Sequence, residues 1–283
     1  MENQRAIMDY IQLAADFLAK QGCDSARLDA ELLLGYVLHM ERMQLYVQFD
    51  KPLTAAEVDA YRTVIGRRAR RIPVSQIIGE REFLSRRFEV TEHVLTPRPE
   101  TELLVEAVLE RMADWEQPKI LDIGTGSGAI AISLACQLPE AIVTAVDISP
   151  KALAVARRNA AVLGVDVEFL ESDLFTAVAD RQFHCIVSNP PYIPTDQLAS
   201  LPPEVRYEPQ LALDGGADGL TVYRQIVKRA GNYLVSSGSL LLEIGCDQGE
   251  SVPALLQTAG WNHLETRTDY AGRDRVVVAL WRA

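Results

Sequence analysis

Asn189-Pro190-Pro191-Tyr192 puts a carboxamide, two prolines and an aromatic ring in four consecutive residues, directly after the apolar run Cys185-Ile186-Val187 and Ser188. Each proline has a fixed φ and no N–H, and each residue before a proline is pushed towards extended geometry, so the loop is stiff and its carbonyls point outward. The Asn189 side-chain oxygen and the Pro190 carbonyl can each accept one hydrogen from a planar NH2 group, with Pro191 stiffening the turn and Tyr192 packing against the flat group. An amide or ring-conjugated nitrogen is a poor nucleophile because its lone pair is delocalised. Holding it in line with an electrophilic methyl group is the help it most needs, and such positioning is worth roughly 7–11 kcal/mol of barrier. The tetrapeptide therefore points to methylation of a conjugated nitrogen.

A site for the methyl donor lies upstream. Lys119-Ile120-Leu121-Asp122-Ile123 reads as a buried strand that runs into Gly124-Thr125-Gly126-Ser127-Gly128, and Ala129 to Ala135 continues as a helix. Glycines let the backbone approach a ligand closely, and the next strand, Ala141 to Val146, ends in Asp147, where a carboxylate can accept both hydroxyls of a ribose. A dinucleotide site follows the same logic, but its usual spacing is G-x-G-x-x-G. The G-x-G-x-G form here is common in S-adenosylmethionine enzymes, and a sulfonium ligand tolerates the nearby Asp122 and Asp147 better than a pyrophosphate does.

The remaining elements would position these loops. Ser149 as N-cap and Pro150 at the first position open a helix to about Gly164, and Val167 to Leu170 is a short strand followed by the loop Ser172-Asp173-Leu174-Phe175. A helix over 219–234, a strand from Ser239 to Ile244, a helix from Val252 to Thr258, and a closing pair of strands, His263 to Thr268 and Arg275 to Leu280, complete the pattern. Strands alternating with helices imply an α/β fold, a mainly parallel, doubly wound (Rossmann-like) sheet covered on both faces. Ligands of such sheets sit at the carboxyl ends of the strands, where Gly124, Asp147, Asp173 and Asn189 all fall.

Residues 1–74 differ in character. Ile7, Ile11, Ala14 and Leu18 recur at helical spacing, as do Leu28, Leu32 and Tyr36, and Thr54-Ala55-Ala56-Glu57 is a capping box opening a helix through Ile65. These residues predict a small all-helical domain. Residues 75–98 read as a linker with a hairpin around Phe83 and Phe88, and 99–283, starting with a helix from Pro99 to Met112, as the catalytic domain.

With Thr96-Pro97-Arg98-Pro99-Glu100-Thr101-Glu102 and the stretch from Val205 to Leu220, Val-Arg-Tyr-Glu-Pro-Gln-Leu-Ala-Leu-Asp-Gly-Gly-Ala-Asp-Gly-Leu, the sequence resembles the protein-(glutamine-N5) methyltransferases that modify peptide chain release factors, within the class I methyltransferase superfamily. The resemblance is strong over residues 72–283; for the helical N-terminus it is one of size and pattern. It implies that Gly124, Thr125, Gly126, Ser127, Gly128, Asp147 and Leu174 hold S-adenosyl-L-methionine, with Asn189 beside it. It also implies that Asn189, Pro190, Pro191 and Tyr192 hold the side-chain amide of the glutamine in the release factors' Gly-Gly-Gln loop. Leu174 stands where relatives often carry Trp, which implies weaker stacking on adenine, and Ile77 stands where the family usually has an aromatic residue. No covalent intermediate and no metal is needed; the cationic nitrogen loses its proton to solvent.

Composition narrows the substrates that share this chemistry. The tetrapeptide also occurs in enzymes acting on adenine or cytosine in DNA, and glutamine methylation of a ribosomal protein is a further alternative. Lys+Arg number 28 against Asp+Glu 39, a net charge of −11, where a nucleic-acid partner calls for cationic surface. A release factor without nucleic acid, and a monomeric enzyme, are expected. The basic cluster Arg67, Arg68, Arg70, Arg71 reads as a solvated helix end. Cys23, Cys136, Cys185 and Cys246 lack C-x-x-C spacing and read as free thiols, mostly buried, in a reducing compartment. With no signal peptide in 1–10 and no run of about 18 apolar residues, a cytoplasmic protein with no membrane partner is expected.

Overall fold

The structure, a computed structural model, describes residues 5–281. Two compact units emerge. One comprises residues up to Gly79 together with Pro202–Tyr207, the other Glu80–Leu201 and Glu208 onward.

The first unit is helical: α1 (Ile7–Lys20), α2 (Ala26–Leu38), α3 (Arg42–Val47), α4 (Ala55–Ala69) and α5 (Val74–Ile78). Ile7, Ile11, Ala14 and Leu18 bury one stripe of α1 against Leu33, Leu34, Val58 and Tyr61. The capping box forms as its sequence implies, Thr54 Oγ1 accepting from Glu57 N and the Glu57 carboxylate from Thr54 N. Within residues 75–98, α5 buries Ile77 in the helical core, and the expected hairpin around Phe83 and Phe88 forms in the other unit.

The basic cluster departs from its reading as a solvated end. Arg68 is only 5% exposed; its Nε donates to Asp29 at 2.7 Å and its Nη2 to Glu204 at 2.8 Å. Arg71, at φ 68°, donates from Nε and Nη2 to the two oxygens of the same Glu204 carboxylate at 2.5 and 2.7 Å. Tyr207 completes the clamp with its hydroxyl on the Arg70 carbonyl. A segment distant in sequence, Pro202–Tyr207, is thereby stitched into the helical unit. The sequence conceals this because the partner carboxylate lies 133 positions from Arg71.

The second unit holds a hairpin, β1 (Glu80–Phe83) with β2 (Arg86–Glu89), then α6 (Glu102–Met112), β3 (Lys119–Ile123), α7 (Ala129–Gln137), β4 (Ile142–Asp147), α8 (Pro150–Leu163), β5 (Glu168–Glu171), β6 (Phe183–Ser188), α9 (Thr221–Ala230), β7 (Leu234–Glu243), α10 (Ser251–Thr258), β8 (Asn262–Thr268) and β9 (Asp274–Leu280). The seven-stranded sheet runs β5-β4-β3-β6-β7-β9-β8, parallel up to β7 and antiparallel over the last two pairs. Successive residues of each central strand enter opposite cores. Ile120, Val143, Cys185 and Leu241 pack with α6 and α7, while Leu121, Val146, Ile186 and Leu242 pack with α9 and α10.

Several boundaries shift from the sequence reading. Residues 99–101 are a 3-10 turn ahead of α6. The expected 219–234 helix is shorter, because Gly219 sits at φ 72° in a turn and Leu234 already opens β7. β7 begins five residues before Ser239; Ser237 at φ 65° and the adjacent Gly238 kink it and disguise its start as a loop.

Replacing Glu204 by Gln removes the anion that neutralises Arg71 and half-neutralises Arg68. Burial pushes the Glu204 carboxyl up, but hydrogen bonds from Arg71 and Arg68 overcome it and hold the group down to about 2, from an ordinary 4.5. The stability it confers is present above 4.5 and is lost as pH falls towards 2. Urea unfolding should show Glu204→Gln destabilised by about 1–3 kcal/mol at neutral pH, a gap that narrows on acidification below 4.5.

Candidate active site

Strand register assembles the site. Ile123 pairs with Val146 on one side and Ser188 on the other, and Ser188 pairs with Leu242. The next residues along each strand, Gly124, Asp147, Asn189 and Glu243, therefore emerge at one level, where the chain turns outward to β4 and β5 and later returns to β6. A crevice opens there, its wall including Gly124, Gly126, Asp147, Leu174, Asn189, Pro190 and Pro191.

The glycine turn divides by role. Gly124 and Gly126 sit at φ 73° and 55° with empty space where a Cβ would lie, so their backbone is open to a ligand. Gly128 faces the other way: a Cβ there would lie 2.7 Å from Ile132 and 3.1 Å from Ala156, so it lets α7 and α8 pack. Thr125, Ser127 and Gly128, expected to touch a cofactor, do not line the crevice. The Thr125 hydroxyl instead donates to the fully buried Asp122 at 2.7 Å, and the Ser127 carbonyl accepts from Asn159, which also ties down β2 through Glu89. These contacts shape the turn.

Asp147, only 9% exposed, accepts from Gly126 N at 2.8 Å and Ser149 N at 2.9 Å through its two oxygens. Burial raises its pKa, and the backbone N–H groups oppose that shift. Each oxygen keeps a lone pair, so a ligand that donates two hydroxyls would complete its solvation. Asp122 behind it is pushed up to about 7 by burial, with the Thr125 hydroxyl opposing and Asp147 adding to the shift. Leu174 sits at φ 51° in a loop closed by the Ser172 hydroxyl on the Leu174 carbonyl, and lines the crevice, as does Ile148.

Asn189 lies at the other end. Its Nδ2 donates to Thr101 Oγ1 at 3.3 Å, which leaves Oδ1 as the acceptor for anything held in the crevice. Pro190 and Pro191 line the wall beside it. Tyr192 does not: its ring packs against the core around Tyr223 and Ile226, and burial raises its hydroxyl pKa. That packing ties the loop to the core.

The long motif after the tetrapeptide is the brace of that loop. Ile193 exchanges backbone hydrogen bonds with Leu213 and Gly215, and Gln248 Nε2 donates to both the Tyr192 and Gly219 carbonyls at 3.2 Å. A Cβ at Gly215 would lie 2.9 Å from the Pro191 oxygen, and one at Gly219 2.3 Å from the Tyr192 oxygen. Buried Glu208 accepts from Thr96 N and pairs with Arg98, tying the two motif segments together. Sequence reasoning missed His93, Leu95, Ile148, Leu211 and Gln225 on the wall. Ile148 alone carried a signal, as an apolar residue directly after the acidic strand end.

A family model described as the methyltransferase small domain matches residues 99–200, and one described as the PrmC N-terminal domain matches residues 9–79. Among solved structures, the Thermus thermophilus 16S rRNA N2 G1207 methyltransferase, in complex with AdoMet and guanosine, aligns with TM-score 0.53 at 20% identity, over 72% of this chain and 50% of its own, a likeness of fold. Sheet order and crevice together are those of an S-adenosylmethionine-dependent methyltransferase. The release factor glutamine methyltransferase of Geobacter sulfurreducens is 46% identical over 274 residues, 96% of this chain and 95% of its own length. That of Moorella thermoacetica is 46% identical over 268 residues, 94% and 95% of the two chains. The chain belongs to the release factor glutamine methyltransferases.

Gly219→Ala tests the brace. A left-handed alanine costs roughly 1–2 kcal/mol, and its methyl would also press on the Tyr192 carbonyl, so turnover should fall more than about tenfold with cofactor affinity near wild type by calorimetry. Gly164→Ala, at φ 69° with open space beside it, should pay the backbone cost and keep its turnover.

Proposed function

We propose that the protein transfers the methyl group of S-adenosyl-L-methionine to the side-chain amide nitrogen of the glutamine in the Gly-Gly-Gln motif of peptide chain release factors. The observation that carries this reading is the Asn189 carboxamide: its NH2 end is occupied by Thr101 and its oxygen is left for the crevice, beside the Pro190 and Pro191 turn. A second NH2 group placed there meets acceptors only.

The cofactor supplies an electrophilic methyl group on a sulfonium. Its fit rests on the bare Gly124 and Gly126 backbone, on Asp147 with lone pairs for a vicinal diol, and on the apolar Ile148 and Leu174 as flanks for a flat base. Ile148 is 51% exposed, an apolar surface that such a base would cover. On the acceptor side, Asn189 Oδ1 and the Pro190 carbonyl hold both amide hydrogens, which fixes the plane of the NH2 group and points its lone pair towards the methyl group. These carbonyl dipoles also stabilise the cationic nitrogen as the bond forms. Its excess proton is acidic and leaves to water.

The substrate is a protein, approached without nucleic acid by a monomer in the cytoplasm. Net charge −11 supports the absence of a phosphate partner. Among the described residues, no helix is long and apolar enough to cross a membrane. The helical unit serves recognition: Met43, Val47 and Phe49 stand 75%, 75% and 57% exposed around the end of α3, an apolar surface that a protein partner would cover.

Mass spectrometry of purified release factor after incubation with enzyme and S-adenosylmethionine should show one added methyl group on the Gly-Gly-Gln peptide; labelled methyl appearing instead in ribosomes or DNA would contradict the assignment. Asn189→Ala should lower turnover by about 100-fold or more and leave cofactor affinity nearly intact. In calorimetry, Asp147→Ala should weaken cofactor binding by roughly 1.5–3 kcal/mol, and unchanged affinity would remove Asp147 from the site.

A further inference from the structure

One buried acid is left unused by the chemistry above. Glu243, the last residue of β7, is 2% exposed, and among the described residues its Oε2 has no hydrogen-bond partner. It lies beside Asn189 because Ser188 and Leu242, the residues before each, are register partners in adjacent parallel strands. Thr101, 4% exposed at the start of α6, reaches the same spot, accepting from Asn189 Nδ2 and facing the Glu243 carboxylate with its hydroxyl. The guanidinium of Arg275, from β9, lies nearby but spends Nη1 on the Ile244 carbonyl and Nη2 on Asp269, and its Nε finds no partner among the described residues. An acid this deeply buried without a full ion pair costs stability, and core packing gains nothing from it.

We infer that Glu243 and Thr101 are positioning residues that fix which end of the Asn189 carboxamide faces the substrate. A carboxylate only accepts, so it draws the Thr101 O–H towards itself; Thr101 Oγ1 then offers its lone pair to Asn189 Nδ2, and Oδ1 is turned to the crevice. In the flipped carboxamide, Oδ1 would oppose the anion and an NH2 group would oppose the substrate's NH2, two repulsions at once. The direction of the hydrogen-bond chain is therefore set from its buried end. Burial pushes the Glu243 carboxyl up to about 7, while Thr101, Arg275 and Asn189 favour its ionised form. The inference rests on the role given to Asn189 above.

The test measures kcat, KM for purified release factor, cofactor affinity and melting temperature for full-length Glu243→Gln, Thr101→Val and Thr101→Ser. A glutamine or a valine no longer imposes a direction. Glu243→Gln and Thr101→Val should lose about 10–100-fold in kcat, with cofactor affinity within about twofold and, for Glu243→Gln, a melting temperature equal to or above wild type. Thr101→Ser, which keeps the hydroxyl, should recover most of the loss. Wild-type kcat in Glu243→Gln and Thr101→Val overturns the inference, as does a Thr101→Ser variant as slow as Thr101→Val. Asn189→Ala separates the two levels: if it is inactive while the others keep full kcat, only this inference falls; if it turns over at the wild-type rate, the role of Asn189 falls first.

Discussion

The molecule's chemistry depends on one constraint, the parallel register that sets Ile123 between Val146 and Ser188. Hydrogen bonding within the sheet places the ends of three strands to within a fraction of a residue, and a slip of one would turn every side chain to the wrong face. The pairing is secured by strands apolar on both sides, with Leu121, Ile186 and Leu242 in one core and Ile120, Cys185 and Leu241 in the other. The glycine-turn end and the Asn189 end of the crevice thus share a rigid base although they come from distant parts of the chain.

Stiffness at the acceptor side has a second source. Two prolines restrict the loop from within, while the stretch from Leu213 to Gly219 holds it from outside by backbone pairing at Ile193 and by contact too close for any Cβ at Gly215 or Gly219. The prolines supply no N–H, so the carbonyls of Tyr192 and Ile193 are met by donors from elsewhere, Gln248 and Gly215. A loop so over-determined can hold an amide hydrogen in place without reorganising as charge develops. The buried acids fit the same scheme: Asp122 receives the Thr125 hydroxyl and so shapes the glycine turn, while Asp147 keeps acceptor capacity for a ligand.

Much of this was legible in the residues. Alternation of apolar strands with helices, the G-x-G-x-G turn and the acidic end of the following strand all describe local geometry, and local geometry is what short-range spacing encodes. Ser149-Pro150 and Thr54 to Glu57 announced their helix starts because a cap is satisfied within one turn. Tyr192 was legible as part of a motif, while the core its ring packs against is assembled from residues distant in sequence. The cluster from Arg67 to Arg71 looked solvated because its counter-charge, Glu204, lies far along the chain.

By itself, then, the amino-acid sequence determined the elements, their order, the rigid Asn-Pro-Pro-Tyr turn and the kind of ligand that a glycine turn followed by an acidic strand end can take. These follow from backbone propensities and from side chains that act within a few residues of themselves. Only the tertiary structure decided which glycines face the crevice and which admit a neighbouring helix, where Pro202–Tyr207 docks, and that Thr101 and Glu243 stand behind Asn189. Those outcomes depend on distances between residues remote in sequence, which strand pairing and close packing set and no local pattern records.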